Sequence, residues 1–214
     1  MKRIFSIILI LCMLASLAAC ANPFKKDDGN GSTSDVKPVI DAAELYADVS
    51  KGDWYEESVS WGVSEEIMTA AKPNLFGVDD VMTRAEIVLA MWKAAGSPGK
   101  VNNAKAVSDA STDSDVSKAL EWAVTEGILT QEEVSYTTAV LSRQEAIDYM
   151  YAEADSPEVQ NLTAPYSDVT ADNSSVRWAK DKGITKGIGH GLFGPELQCT
   201  KAMMITFLFR AKPE

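Results

Sequence analysis

Histidine is almost missing from this chain: His190 is the only one, and it sits between Gly189 and Gly191 in a segment that reads as a loop. Cysteine is nearly as scarce, with Cys12, Cys20 and Cys199. These shortages argue against a Ser-His-Asp triad and against a Cys/His zinc site. Positive charge is short as well: 20 Lys and Arg stand against 31 Asp and Glu, a formal net charge of −11. A chain of that sign is repelled by nucleic acid and by anionic lipid. No nucleic-acid partner, metal or cofactor is therefore expected. The partner is neutral, cationic, or held at a small local basic site. What the chain does have is apolar residues, 46% of the total, enough to bury a core.

The first 20 residues, MKRIFSIILILCMLASLAAC, read as an address. Lys2 and Arg3 are followed by an apolar run from Ile4 to Leu17, which suits an export signal and is short for a membrane-spanning helix. The run ends in Leu17-Ala18-Ala19-Cys20, which resembles the lipobox of bacterial lipoproteins. That resemblance implies lipidation of Cys20 and loss of the peptide before it. Two or three acyl chains would then hold the protein at the outer face of the membrane, each buried methylene contributing ~0.8 kcal/mol. Cleavage removes two cations and no acid, so the mature chain is still more acidic. It also leaves Cys199 without a partner for an intrachain disulfide, and Cys199 reads as a small core residue. Residues 21–40, rich in Gly, Ser, Asn, Asp and Lys, read as a flexible linker.

The remainder repeats itself. YADVSKGDWYEESVSWGVSEEIM, VSDASTDSDVSKALEWAVTEGIL and YSDVTADNSSVRWAKDKGIT align, and each leads to a second motif: VMTRAEIVLAMWKAAG, VLSRQEAIDYMYAEA and QCTKAMMITFLFRAK. Asp48 precedes Trp61 by the same interval as Asp109 precedes Trp122, and Asp168 precedes Trp178 with a short deletion. Ile67, Ile128 and Ile184 follow their tryptophans at one fixed distance. The units are 41–96, 104–155 and 163–214, joined by Pro-bearing linkers at 96–106 and 156–165.

Each unit predicts two helices. The first carries Trp61, Trp122 or Trp178, expected in the core, with Val59, Val63 and Ile67 around the first of them. The second begins at Thr83, Ser142 or Thr200, all good N-caps. Glu86 and Glu145 stand where a capping box needs them, whereas the third unit has Met203 there. Ile87, Met91 and Ala94 then form an apolar stripe, as do Ile147, Met150, Tyr151 and Ala154. One helix pair is too small to bury a core alone, so three are expected to pack as one all-α domain with pseudo-threefold symmetry.

The unit resembles the S-layer homology repeat. Tyr46-Ala47-Asp48-Val49 and Trp54 resemble that family's opening, and Gly127-Ile128 and Gly183-Ile184 its middle. Phe193-Gly194-Pro195 resembles its loop, and Thr83-Arg84-Ala85-Glu86 its signature. The resemblance covers roughly residues 46–212. It implies a three-repeat bundle that binds secondary cell-wall polysaccharide, often pyruvylated, in grooves between repeats. It further implies that Arg84 faces a ligand carboxylate and that Gly52, Asp53 and Trp54 form a ligand element. An Arg fork suits a carboxylate, a Trp face suits a sugar ring, and the second helix's N-terminus favours an anion. Arg143, in Ser142-Arg143-Gln144-Glu145, is the second candidate, and Lys201, in Thr200-Lys201-Ala202-Met203, a weaker third. The expected groove is built on unit one, around Trp54 and Arg84.

Other readings of the same residues are narrower. Asp48, Asp109 and Asp168 suit loop shaping better than ligand binding. Residues 109–120, DASTDSDVSKAL, superficially suggest a calcium loop but lack its glycine and its final acid. Degenerate motifs in units two and three leave open a surface lipoprotein whose repeats contact other proteins. A carboxylate-pair glycan hydrolase has only scattered acids to draw on, so the chain is expected not to be an enzyme.

Overall fold

A computed structural model describes residues 40–99, 114–160 and 163–212. Among them the regular structure is helical: α1 (Ala42–Leu45), α2 (Glu56–Ser64), α3 (Arg84–Ala94), α4 (Asp115–Thr125), a 3-10 turn (Glu133–Tyr136), α5 (Arg143–Glu153), α6 (Ser174–Asp181) and α7 (Lys201–Ala211). The all-α expectation holds. The helix pairs are α2/α3, α4/α5 and α6/α7; α1 and the 3-10 turn carry no signal that the spacing reveals.

The second helices start where their caps dictate. Thr83 and Ser142 each close a full capping box with Glu86 and Glu145. Thr200 accepts only from the Met203 amide, because no acid stands opposite. The first residues after α3 and after α5 are tied to their helices. Trp92 Nε1 donates to the Pro98 carbonyl at 3.1 Å and Tyr151 Oη to the Pro157 carbonyl at 2.7 Å. The remaining linker residues, the Asp109 loop start, the proposed signal segment and Cys20 lie outside the described residues.

The pairs join in a cycle. α3 packs on α4, α5 on α6, and α7 on α2. At one end three equivalent residues close a ring: Met82 N–H donates to the Cys199 carbonyl (2.9 Å), Cys199 N–H to Leu141 (2.8 Å), and Leu141 N–H to Met82 (3.2 Å). The next residues continue it. Arg84 N–H donates to the Ala139 carbonyl, Arg143 N–H to Leu197, and Lys201 N–H to Asp80. Ala85, Gln144 and Ala202 donate to Thr137, Pro195 and Val78. The first two amides of each second helix, orphans in an isolated helix, are thus satisfied by the loop of the next pair. An unsatisfied buried donor costs about 1–3 kcal/mol, so these contacts fix both the helix starts and the order of the pairs.

The core runs through all three pairs, with Phe76, Phe193, Ile87, Leu120, Ile147 and Ile205 among its fully buried side chains. Trp122 and Trp178 belong to it, as expected. Trp61 does not: it is only half-buried and packs with its ring centroid 5.5 Å from that of Phe209. The reason is the neighbouring Gly62. It lets α2 lie so close to α7 that a Cβ there would stand 2.3 Å from Ile205 Cδ1. Gly62 then forms the contact, and Trp61 is left at its edge. Cys199 is fully buried, and burial pushes its thiol up to about 12, as suits an inert core residue.

Candidate functional site

The loops between paired helices are held by aspartates. Asp48 accepts from the amides of Phe76, Gly77 and Val78 at 2.7–3.0 Å, and Asp168 from those of Phe193 and Gly194 at 2.8 Å. Burial opposes these charges, but the amide donors outweigh it and both carboxyls lie below the usual range. These aspartates shape loops, as their position suggests. Each loop so held presents a phenylalanine whose ring and carbonyl receive a cation from the preceding pair in the cycle. Arg143 Nε donates to the Phe193 carbonyl at 3.0 Å, with its guanidinium carbon 4.9 Å from that ring's centroid. Lys201 Nζ donates to the carbonyls of Phe76 (2.8 Å) and Thr69 (2.6 Å) and lies 4.4 Å from the Phe76 centroid.

Arg84 has no such ring to meet. It is buried, and Nε donates to Tyr149 Oη at 2.8 Å while Nη1 donates to the carbonyls of Tyr136 (2.9 Å) and Glu133 (3.3 Å). Tyr149 in turn donates to Glu133 Oε1 at 3.0 Å. Burial raises Glu133, but donors from Thr130 and Tyr149 and the Arg84 charge overcome it and hold the carboxyl low. Burial first, and the Glu133 charge after it, push Tyr149 up to about 12 against the opposing pull of Arg84. Arg84 therefore bolts the first pair to the second, where the sequence suggests a ligand contact.

The unit-one groove expected around Trp54 and Arg84 is not what the structure assembles. Trp54, 56% exposed, instead lines a groove of about 420 Å³ together with Arg143, Lys186, Phe207 and Arg210. Gly52 adopts φ +92°, open to glycine, and its amide donates to Glu56; Asp53 accepts from the Ser50 amide at 2.7 Å. These two shape the turn that sets out Trp54, whose ring packs edge-on to Tyr55 at 5.1 Å. Neither of them lines the groove.

Arg143 is only 3% exposed, and its guanidinium is sandwiched between Phe193 and Phe207, 5.1 Å from the latter's centroid. Its Nη groups have no acceptor among the described residues. Burial lowers its basicity against the opposing pull of Cys199, Tyr166 and Asp168, and the charge of Arg210 adds to the lowering. Arg210 donates weakly to the Ile184 carbonyl at 3.4 Å. Lys186, on the loop after α6, is exposed at the rim. No acid lines this groove. By contrast, a cavity of about 310 Å³ beside Lys201 and Lys93 contains Asp80 and Glu86. Lys201 there is already engaged with backbone carbonyls, and burial lowers its basicity. The N-termini of α3, α5 and α7 are likewise unavailable to an anion, because their first amides are taken by neighbouring loops.

Sequence reasoning misses Arg210, Lys186 and Phe207. The one available signal is that Arg210 is the first cation after Lys201 in an otherwise apolar helix.

Two stretches, 45–88 and 165–203, match the S-layer homology domain. Domains of this family anchor proteins at the cell wall by binding its secondary polymers. The match thus implies a protein of the cell surface, associated with the wall. No curated protein matches the chain. The S-layer homology stretches contain Trp54, Arg84 and Lys201; Arg143 and Arg210 lie outside them. Among the described residues no helix is long and apolar enough to cross a membrane.

Proposed function

We propose that this chain is a lipid-anchored cell-surface protein that binds secondary cell-wall polysaccharide non-covalently, in the groove where Trp54 of the first helix pair meets Arg143 of the second and Arg210 of the third. Lipidated Cys20 would fix it to the outer face of the membrane, and the domain would reach into the wall. On this reading α4/α5 is a third S-layer-homology-like repeat. The cyclic caps support it, since each second helix is closed by the loop of the next pair in the same way.

The observation that carries the reading is the groove's composition. A protein of net charge −11 gathers three cations in one groove with no acid among its lining residues. The exposed Trp54 face suits a sugar ring, and the Nη groups of Arg143 suit an acidic substituent such as a pyruvyl carboxylate. The role proposed is binding, not catalysis.

Cosedimentation with purified walls of the source bacterium tests this. The chain from Ala21 on, which holds every described residue, should pellet with intact walls and stay in solution with walls stripped of secondary polysaccharide by acid. Trp54→Ala should pellet less. Failure of the unaltered chain to pellet with intact walls would sink the proposal and direct the search to protein partners.

A further inference from the structure

We infer that the groove takes a glycan group carrying two negative charges, and that Arg210 is the residue that sets this preference. The inference rests on the polysaccharide reading of the groove and specifies its ligand.

Arg143 comes from the start of α5 and Arg210 from the end of α7, so the fold brings together two guanidinium groups distant in sequence. Neither makes an ion pair among the described residues. Arg143 keeps a single acceptor, the Phe193 carbonyl, and Arg210 a long contact to the Ile184 carbonyl. The two charges repel each other, and Lys186 adds a third at the rim. Two other grooves differ. One offsets Lys93 and Lys201 with Asp80 and Glu86, and the other offsets Lys212 with Glu153. Only here, among the described grooves, do cations line the cavity with no acid in the lining; the Asp168 carboxylate, outside it, offsets Arg143 in part.

One carboxylate occupies one Arg fork and leaves the second guanidinium uncompensated. A dianion meets both at once. Phosphate on a sugar has that charge, and so do two carboxylates on adjacent sugars. Arg143 is rigid between two aromatic faces and fixes one end of the group. Arg210, half-buried and weakly held, is the arm that distinguishes two charges from one.

The test uses two sugars that differ mainly in charge. The ¹⁵N-labelled chain from Ala21 on is titrated with glucose 6-phosphate and with glucuronate, and the Trp54 indole and Arg Nε–H signals are followed. Wall pelleting is measured in parallel. The sugar phosphate should bind about tenfold tighter at neutral pH, the difference made by one charged hydrogen-bonded contact. The preference should shrink below about pH 6, where the phosphate takes up its second proton. Arg210→Gln should bring the two affinities within about twofold, with glucuronate binding little changed. Arg143→Gln should weaken both. Equal affinity of the unaltered chain for the two sugars, or a uniform loss in Arg210→Gln, would overturn the inference while pelleting with walls leaves the polysaccharide reading standing. If the unaltered chain neither pellets nor responds to either sugar, both fall.

Discussion

Arg143 is fixed to Phe193 twice over, by a 3.0 Å hydrogen bond to its carbonyl and by the ring lying 4.9 Å from the guanidinium carbon. Arg143 also lines the groove. Arg143→Lys separates the two roles. An ammonium can still reach the Phe193 carbonyl and sit over the ring, but it cannot offer a second parallel donor to a ligand. The variant should unfold within about 5 °C of the unaltered chain, whereas wall binding in a pelleting titration should fall about tenfold. Full retention of binding would remove Arg143 from the site.

Arg84 should behave in the opposite way. Arg84→Ala strands the carbonyls of Glu133 and Tyr136 and the Tyr149 hydroxyl, all at the junction of the first and second pairs. Loss of such a buried charged hub costs about 2–4 kcal/mol. Urea unfolding should show that loss, while the fraction still folded at low temperature should bind walls with unchanged affinity. Tyr149→Phe, which removes one link and keeps the ring, should cost less, about 1 kcal/mol. Selective loss of wall binding in stably folded Arg84→Ala would restore it as a ligand residue.

The contrast between these arginines marks where sequence stops informing. The second helices are legible because their caps are local: Thr83 and Glu86, or Ser142 and Glu145, lie three residues apart and need no tertiary information. The loops are legible through Asp48 and Asp168 because an acid at one end of the unit meets amides at the other. The groove is not legible in the same way. Trp54 and Arg84 belong to one unit along the chain, and spacing assigns them to one site. In space each cation projects onto the loop of the next pair, so Trp54 finds Arg143 instead. Arg210 lies beyond the repeat's motif, where no pattern marks it. Trp61 shows the same limit: its equivalents Trp122 and Trp178 are buried, and it is not, because Gly62 changes how α2 meets α7.

Gly62 gives a stability test of that packing. Its counterparts in α4 and α6 are Ala123 and Ala179, both fully buried, so a methyl is tolerated at two of the three positions. At the first it would stand 2.3 Å from Ile205 Cδ1, on a side chain that is itself fully buried. Alanine favours the helix by about 1 kcal/mol over glycine, but overpacking costs about 1–3 kcal/mol. Gly62→Ala should therefore be destabilising by about 1 kcal/mol on balance. Combined with Ile205→Val, which withdraws the nearer of two clashing carbons and leaves Cγ1 at 2.6 Å, it should be less harmful than the two single losses added together. Strict additivity in the double-mutant cycle would mean that the two residues do not compete for space.

Acid should loosen the domain through its loops. Asp48, Glu133 and Asp168 all have folded-state pKa values below their ordinary ones, because amide donors, hydroxyl donors and nearby cations outweigh burial. A depressed carboxyl favours folding while it is ionised in both states, so its contribution is complete above the ordinary value. It is lost as pH falls through that value toward the lower, folded one. With ordinary values of 3.8 for Asp and 4.5 for Glu, the loss should begin near pH 5 and deepen below pH 4. Asp48→Asn removes the charge that three loop amides share. It should lower stability at neutral pH and flatten the decline between about pH 5 and pH 3, since one of the groups that drives it is gone. Urea titrations of both proteins across that range give the comparison. A decline in Asp48→Asn as steep as in the unaltered chain would show that the acid sensitivity resides in other carboxylates.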